Sequence, residues 1–164
     1  CGPADILADL GSVDYVGFDT HPKYIRAAQE RYGNRGRFSC QTFTPATAPP
    51  DERYDRILAI GILHHLDNQS CHRLFQLVSQ CLKEDGELFT IVPTFVPGQS
   101  WLGRWLTARD RGQNVRAPED YEALARAYFP EVQVAVRSGL IRLPYTHTLL
   151  NCRRTRPGPR SASA

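Results

Sequence analysis

Hydrophobic residues along the chain alternate between continuous runs and helical spacing, a pattern that predicts strands alternating with helices. The clearest run is residues 57–60, Ile-Leu-Ala-Ile, inside a strand predicted over residues 54–61. A continuous apolar run is typical of a parallel strand that is covered on both faces. Helical spacing follows over residues 70–82, where we predict a helix with its apolar stripe at Leu74, Leu77, Val78, Cys81 and Leu82.

The remaining elements follow from the same patterns. Strands are predicted at 14–18, 37–40, 88–92, 132–136 and 146–152, and helices at 4–10, 22–32, 101–106 and 118–128. Asp67 or Asn68 is expected to cap the helix over 70–82, and residues 84–86 to form a turn. No helix separates the last two strands, so we expect them to pair antiparallel. The whole order predicts an α/β sandwich with a mainly parallel sheet, in which ligands bind beyond the carboxyl ends of the strands.

The first nineteen residues have the layout of half a nucleotide pocket. A turn that contains Gly2 precedes a short apolar segment and then a strand that ends at Asp19, 17 residues after Gly2. Glycine lets the backbone approach a ligand, and a carboxylate at the next strand end accepts hydrogen bonds from ribose hydroxyls. The spacing is close to the roughly 20 residues expected for such an acid. The pattern therefore predicts a nucleotide site that includes Gly2 and Asp19.

Composition and charge narrow the class of protein. The 164 residues are 41% hydrophobic and 23% charged, and no apolar run approaches the ~18 residues that span a bilayer. Four of the 20 basic residues lie at 153–164, which leaves 16 against 17 acidic residues elsewhere. We therefore expect no nucleic-acid surface and no membrane segment, with a disordered basic tail at 154–164. Five cysteines without a CxxC pair predict reduced thiols in a cytoplasmic protein.

Four segments taken together resemble the class I S-adenosylmethionine-dependent methyltransferases. Residues 1–5 resemble the end of the glycine-rich first motif, 16–19 the second strand with its acid, 54–66 the fourth strand and the segment after it, and 82–88 the turn into the fifth strand. The motifs cover about residues 1–92, and 131–153 match by the closing strand pair. The resemblance implies a Rossmann-like three-layer sandwich over residues 1–153, with an insert at about 93–118.

The resemblance also implies a central first strand before Cys1. The chain contains no methionine and opens in the middle of the glycine turn, so we expect it to lack its natural N-terminus. The second and fourth strands would then flank a gap of about 9–10 Å, two strand spacings. Such a fragment is expected to be unstable or inactive unless the strand is supplied.

S-adenosyl-L-methionine is the cofactor that the resemblance implies. The residues expected to bind it are Gly2, Pro3, Asp19, Thr20, Gln41, Thr42, Ile60 and Gly61. Two positions depart from the family pattern. Ala4 stands where a further glycine is common, and Gln41 with Thr42 stand where the third strand usually ends in an acid near the adenine amino group. Gln41 can still accept a hydrogen bond.

His64 is the candidate catalytic residue, because the corresponding position in the resembling family follows the fourth strand and faces the transferring methyl group. The alternative is that His64 only lines the pocket or bonds to the backbone. His65 is interpreted as structural. No metal site is expected, because the spacing of His64, His65, Cys71 and His72 matches no standard zinc pattern. Candidates for the acceptor side are Trp101, Trp105, Arg111, Arg116, Tyr145 and His147.

The leading interpretation is methyl transfer to a small-molecule acceptor. Arginines would suit an acceptor that carries a carboxylate or phosphate. A nicotinamide-dependent oxidoreductase is the first alternative, although the chain has neither a full GxGxxG turn nor a catalytic Tyr-x-x-x-Lys arrangement. A fragment that keeps a nucleotide-binding fold without catalysis is the second. The oligomeric state is not predicted.

Overall fold

The structure, a computed structural model, describes residues 1–109 and 112–154. The chain divides into two units, Cys1–Asp51 and Glu52–Ala164. The predicted tail lies outside the described residues from residue 155 onward, as does Arg111. A single domain over residues 1–153 stays a prediction.

The first unit contains one parallel strand pair with its crossover helix. Strand β1 (Tyr15–Asp19) leads through helix α1 (Pro22–Tyr32) to strand β2 (Gly36–Cys40), and β1 pairs with β2 in parallel register, Tyr15 opposite Gly36 and Asp19 opposite Cys40. Pro22 lies in the first turn of α1. Proline is tolerated there because the backbone N–H that it lacks would have no partner within the helix at this position. These elements confirm the predicted strand–helix–strand order.

The predicted helix at residues 4–10 is only a 3₁₀ turn, Asp5–Ala8. Ala4 has φ 57° and ψ 30°, the left-handed conformation, so a right-handed helix cannot include it. The buried side chains of Ala4, Leu7 and Ala28 form a small core. The Arg35 guanidinium donates to three carbonyl oxygens of this segment and so ties it to the start of β2; they belong to Leu7, Leu10 and Gly11.

The second unit contains a mixed sheet of four strands in the order β3-β4-β6-β5. The strands are β3 (Tyr54–Ile60), β4 (Leu82–Pro93), β5 (Glu131–Ser138) and β6 (Thr146–Arg153). The pair β3/β4 is parallel, and both β4/β6 and β5/β6 are antiparallel. The helices are α2 (Asn68–Cys81), α3 (Trp101–Ala108) and α4 (Pro118–Arg126). The antiparallel pairing of the last two strands is therefore confirmed, as is the cap of α2 by Asp67.

Helix α2 buries the predicted apolar stripe. Of the predicted positions, Leu77, Val78 and Cys81 are buried, Leu74 is half-buried, and Leu82 is buried but begins β4 instead of ending the helix. Cys71 and Phe75 are also buried and extend the stripe. The Phe75 ring meets the Phe129 ring edge-on with 6.2 Å between centroids. This packing holds α2 and the segment after α4 together in the core of the second unit.

Strand β3 is less buried than its sequence predicts. Ile60 is 51% exposed, and Leu58 is also exposed. The reason is position, because β3 is an edge strand that pairs only with β4 among the described strands. The described strands form two sheets with two parallel and two antiparallel pairings, rather than one mainly parallel sheet. The predicted gap beside β3 stays a prediction.

Residues 84–86 form a bulge inside β4 instead of the predicted turn. Tyr54 is opposite Leu82 and Arg56 is opposite Glu87, so β4 advances five residues while β3 advances two. A side chain at Gly86 would lie 2.9 Å from the Tyr54 carbonyl oxygen. The absence of a side chain at Gly86 lets the two strands approach each other here.

No helix among the described residues is both long enough and apolar enough to cross a membrane.

Candidate functional site

The carboxylate of Asp19 lies at the carboxyl end of β1 and binds the glycine turn. Its Oδ2 atom accepts the Gly2 N–H at 2.8 Å, and the amino group of Cys1 lies 3.0 Å from the same oxygen. Its Oδ1 atom accepts the His21 N–H at 2.8 Å. The structure therefore brings together the two residues, Gly2 and Asp19, on which the predicted nucleotide pocket depends.

Electrostatics keep this carboxylate ionised at neutral pH. Burial raises the pKa of Asp19, but the N–H groups of His21 and Gly2 and the amino group of Cys1 together lower it by more, so the pKa falls below its ordinary value. The side chain remains 20% exposed. Because Oδ1 accepts a single hydrogen bond from the described residues, it retains a lone pair for a further donor such as a ribose hydroxyl.

The glycine turn combines open space with local strain. Gly2 has φ +56°, and a Cβ built there would have no atom within 4 Å. Ala4 is fully buried and has the same left-handed conformation as Gly2. For a residue with a side chain, this conformation costs about 1–3 kcal/mol. The sequence shows Ala4 in place of a common glycine, and the structure shows that this position needs the conformation that glycine adopts readily.

The other predicted cofactor residues of the first unit lie near the same sheet edge. Since Asp19 is opposite Cys40 in the parallel register, Thr20 and Gln41 both follow directly after the paired ends. Thr20, Gln41 and Thr42 are exposed. Pro3 is half-buried in the turn. Cofactor binding by these residues stays a prediction.

In the second unit, Gly61 turns the chain away from β3 and brings His64 back beside it. Gly61 has φ +64°, a conformation that favours glycine, and its N–H donates to the Ile91 carbonyl oxygen at 2.9 Å. A Cβ built at Gly61 would lie 4.0 Å from His64 Cε1, with no other atom within that distance. Ile60, the last residue of β3, is half exposed.

His64 lies in a 3₁₀ turn, Leu63–His65, and is 5% exposed. The centroids of the His64 and His65 rings are 4.0 Å apart. A Cβ built at Gly112 would lie 1.9 Å from His64 Cδ2, so the backbone of residue 112 covers this ring. The Asn114 N–H donates to the His64 carbonyl oxygen at 2.9 Å. The covering of His64 by residues 112–114 was not predicted from the sequence, because the contact joins residues almost fifty positions apart and no local sequence pattern indicates it.

The candidate residues for the acceptor side differ in their exposure and in their hydrogen bonds to the protein. Trp101 and Trp105 are 79% and 46% exposed. The Tyr145 hydroxyl donates to the Leu106 carbonyl oxygen at 3.4 Å, and burial lowers the pKa of His147. The described contacts of Arg116 use all five guanidinium donors, so this residue offers none to an acceptor anion.

The residues considered for a metal have other contacts. The Cys71 thiol donates to the carbonyl oxygens of Leu63 and Leu66, and His72 Nδ1 lies 3.2 Å from the Tyr128 hydroxyl. Within residues 1–109 and 112–154, no three His, Cys, Asp or Glu side chains are grouped so as to hold a metal ion.

Comparison with protein families gives one match that covers half of the chain. A family model described as a methyltransferase domain matches residues 1–86, the region that carries the glycine turn, Asp19, Gly61 and His64. No curated protein matches the chain.

Solved structures with a similar fold include three methyltransferases. The apo S-adenosylmethionine-dependent methyltransferase SibL is 16% identical with a TM-score of 0.70, over 94% of this chain and 48% of SibL. The mitomycin 7-O-methyltransferase MmcR is 16% identical with a TM-score of 0.70, over 93% of this chain and 46% of MmcR. The N-methyltransferase NodS from Bradyrhizobium japonicum WM9, in complex with S-adenosyl-L-homocysteine, is 16% identical with a TM-score of 0.61, over 84% of this chain and 65% of NodS.

These likenesses confirm the predicted Rossmann-like α/β fold. They also show that this chain spans about half the length of SibL and MmcR.

Proposed function

The chain belongs to the methyltransferase-domain family, and on that premise we propose that it transfers a methyl group from S-adenosyl-L-methionine to a small-molecule acceptor. The observation that carries the proposal is the ionised Asp19 carboxylate, bound to the Gly2 N–H at the end of β1 with one lone pair still available. The matched family favours methyl transfer over the nicotinamide-dependent alternative.

The residues of the first unit fit the adenosyl part of the cofactor. Asp19 would accept hydrogen bonds from the ribose hydroxyls, and the open space beside the Gly2 Cα would admit a ligand close to the backbone. Gln41, exposed just beyond β2, would accept a hydrogen bond from the adenine amino group. Pro3, Thr20 and Thr42 would line the same edge.

For the residues of the second unit, the expected roles concern the reacting end of the cofactor. When bound, the cofactor supplies a methyl group that is electrophilic because it is attached to a sulfonium. Ile60 and Gly61 would lie along the cofactor, and His64 would contact the acceptor or take its proton. The role of the protein in such an in-line displacement is to position the two reactants and, where the acceptor is protonated, to supply a base.

Helix α3 supports an acceptor with an apolar body and an anionic group. Its exposed tryptophans offer flat apolar surface, and the Arg109 guanidinium lies 4.3 Å from the centre of the Trp105 ring. Residues 94–111 contain three arginines, Arg104, Arg109 and Arg111, against one acid, Asp110, a basic balance that suits an anionic group on the acceptor. MmcR, a neighbour in fold, is a methyltransferase of the small molecule mitomycin.

The proposed location is the cytoplasm. All five cysteines are unpaired thiols, which suits a reducing compartment.

Isothermal titration with S-adenosyl-L-homocysteine tests the proposal. We expect binding, and Asp19→Ala should weaken it by about 1–3 kcal/mol, or about 5- to 150-fold in Kd, because ribose hydroxyls lose their acceptor. Asp14→Ala is the matched control, since Asp14 precedes the other end of β1 and makes only a long ion pair with Arg37 at 3.8 Å. Thermal unfolding of both variants verifies that they are folded.

Three results would contradict the proposal. The first is a folded wild type that does not bind S-adenosyl-L-homocysteine. Binding of NAD in place of S-adenosyl-L-homocysteine would support the oxidoreductase, and equal affinity of wild type and Asp19→Ala would remove Asp19 from the site.

A further inference from the structure

Arg116 has every donor of its guanidinium engaged with the protein. An arginine carries five N–H donors in a fixed planar fork. Nε donates to Asn68 Oδ1 at 3.0 Å; Nη1 donates to the carbonyl oxygens of Leu63 and Asn114 at 3.1 and 2.9 Å; Nη2 donates to the Leu66 carbonyl oxygen and Asn68 Oδ1 at 2.7 and 2.8 Å. The side chain therefore acts on its own chain and not on a ligand.

The partners of Arg116 flank His64 on both sides. Leu63 precedes His64, Leu66 follows it by two positions, and Asn68 begins α2. One guanidinium thus spans the whole turn from Leu63 to the first residue of α2. Hydrogen bonds from a charged donor are stronger than neutral ones, so this turn is held in one conformation.

The same guanidinium also holds the segment that covers His64. Asn114 gives its carbonyl oxygen to Arg116 Nη1 and its N–H to the His64 carbonyl oxygen. Two residues earlier, the Gly112 backbone lies against His64, so that a built Cβ would collide with the ring atom Cδ2 and with the His64 carbonyl oxygen. Residues 112–114 are therefore fastened to the His64 turn from two directions.

The backbone of Arg116 is itself anchored to the end of β4. Its carbonyl oxygen accepts the Thr94 hydroxyl at 2.7 Å, and its N–H donates to the Tyr121 hydroxyl at 3.2 Å. Tyr121 is fully buried, and its ring centre lies 5.6 Å from the guanidinium carbon. A side chain fixed at its base and at all of its donors is preorganised for a positioning role.

We propose that Arg116 is the positioning residue for His64: it fixes the turn that places the imidazole beside Gly61 and keeps residues 112–114 closed over the ring. The significance of His64 for methyl transfer rests on the proposed function. We call the hydrogen bonds of Arg116 to residues 63–68 and 114 the clamp. These contacts lie within the second unit, and their effect on His64 can be measured without an activity assay.

The test measures how fast diethyl pyrocarbonate modifies each histidine, with sites resolved by peptide mass spectrometry. In the wild type, the covered His64 should react slowly and the exposed His21 quickly. Arg116→Gln should raise the His64 rate by about tenfold or more, because the turn loses its charged donors and opens locally. The His21 rate should not change. Arg116→Lys should restore part of the protection, since an ammonium has three donors.

Arg126→Gln is the matched control. Arg126 also donates to a backbone carbonyl, that of Val132, and to the Glu122 carboxylate, but it has no described contact with the His64 turn. Its removal should leave the His64 rate at the wild-type value.

A second variant tests the cover of His64 without changing Arg116. Gly112→Ala places a methyl group where His64 Cδ2 already lies, so residues 112–114 must move away and His64 should react faster. This variant tests the cover over His64 alone; if Arg116→Gln does not fold, the His64 rate in Arg116→Lys tests the role of Arg116.

An unchanged His64 rate in folded Arg116→Gln or Gly112→Ala would overturn the proposal, and so would an equal increase in Arg126→Gln. Titration of the same variants with S-adenosyl-L-homocysteine separates the two hypotheses. If the wild type does not bind this ligand, the proposed function fails while the His64 rates still decide the clamp.

Discussion

Helices α2 and α3 have similar amphipathic sequences and opposite relations to the core. In α2 the apolar stripe faces inward, and Phe75 is completely buried. In α3 Trp101, Leu102 and Trp105 face outward, with Trp101 the most exposed of them, whereas Leu106 is half-buried and the buried residues are Gly103 and Thr107. Hydrophobic spacing therefore predicts that a helix forms, but it does not decide which side of the helix the rest of the protein covers.

Close backbone approach explains the orientation of α3. A Cβ built at Gly103 would lie 2.3 Å from the Pro144 carbonyl oxygen, so the helix axis comes nearer to the 143–145 segment than any larger residue would allow. The wide apolar side then remains on the surface. Exposed patches of this kind commonly mark a site of interaction, which is why α3 enters the proposed acceptor surface.

The largest effect should come from truncating the buried aromatic residue of α2. Phe75→Ala removes a ring that packs against Phe129 and should lower the free energy of unfolding by about 3–5 kcal/mol. The same truncation in α3, Trp101→Ala, should change it by less than about 0.5 kcal/mol, since the ring is exposed. Urea unfolding measures both. A large loss in Trp101→Ala would show that the outer side of α3 is covered in solution.

An intermediate effect is expected from the glycine on the buried side of α3. Alanine is the better helix former by about 1 kcal/mol, so propensity alone predicts that Gly103→Ala stabilises the protein. The contact with the Pro144 carbonyl predicts a net loss of about 1–3 kcal/mol instead, because the helix must move outward.

The control for this change lies in α2. Ser79→Ala has a smaller helix-forming advantage, about 0.5 kcal/mol, at a half-buried position, and it removes one hydrogen bond from the Ser79 hydroxyl to the Gln76 carbonyl of the same helix. It should be close to neutral. A stabilised Gly103→Ala variant would mean that α3 is free to shift away from residues 143–145.

Local patterns explain why some of the structure is visible in the sequence. The stripe and cap of α2, the β1–α1–β2 order and the Gly2–Asp19 pair each depend on a segment of at most 26 consecutive residues, the length from Tyr15 to Cys40. The left-handed Ala4 was not predictable, because alanine normally avoids that conformation and the strain is balanced by its burial against Leu7 and Ala28.

Long-range contacts explain what the sequence does not reveal. The sequence offers Arg116 as a candidate for the acceptor side, and only the fold brings Leu63 and Asn68 to its guanidinium. The exposure of β3 also depends on long-range contacts, because a central strand and an edge strand can have the same apolar run. The sequence thus predicts candidate residues better than it predicts what holds them.

The smallest expected effect on stability concerns the N-caps of α2 and α3, one of which is charged and the other neutral. Asp67 Oδ1 accepts the Ser70 N–H at 2.7 Å and caps α2, whereas the Ser100 hydroxyl oxygen accepts the Gly103 N–H at 3.1 Å and caps α3. The Ser70 hydrogen bonds hold the pKa of Asp67 below its ordinary value, and a serine does not titrate in this range. Only the α2 cap should therefore depend on pH.

The sign follows from the lowered pKa of Asp67. The stabilisation is complete above the unfolded-state pKa of about 3.9 and is lost as pH falls through the lower folded-state value. Asparagine is a comparable cap without a charge, so wild type should lose stability relative to Asp67→Asn as the pH falls below about 4. Ser100→Ala should lower the free energy of unfolding by about 1 kcal/mol at every pH. Urea unfolding across this range tests both, and a difference between wild type and Asp67→Asn that stays constant with pH would show that the α2 cap does not act through its charge.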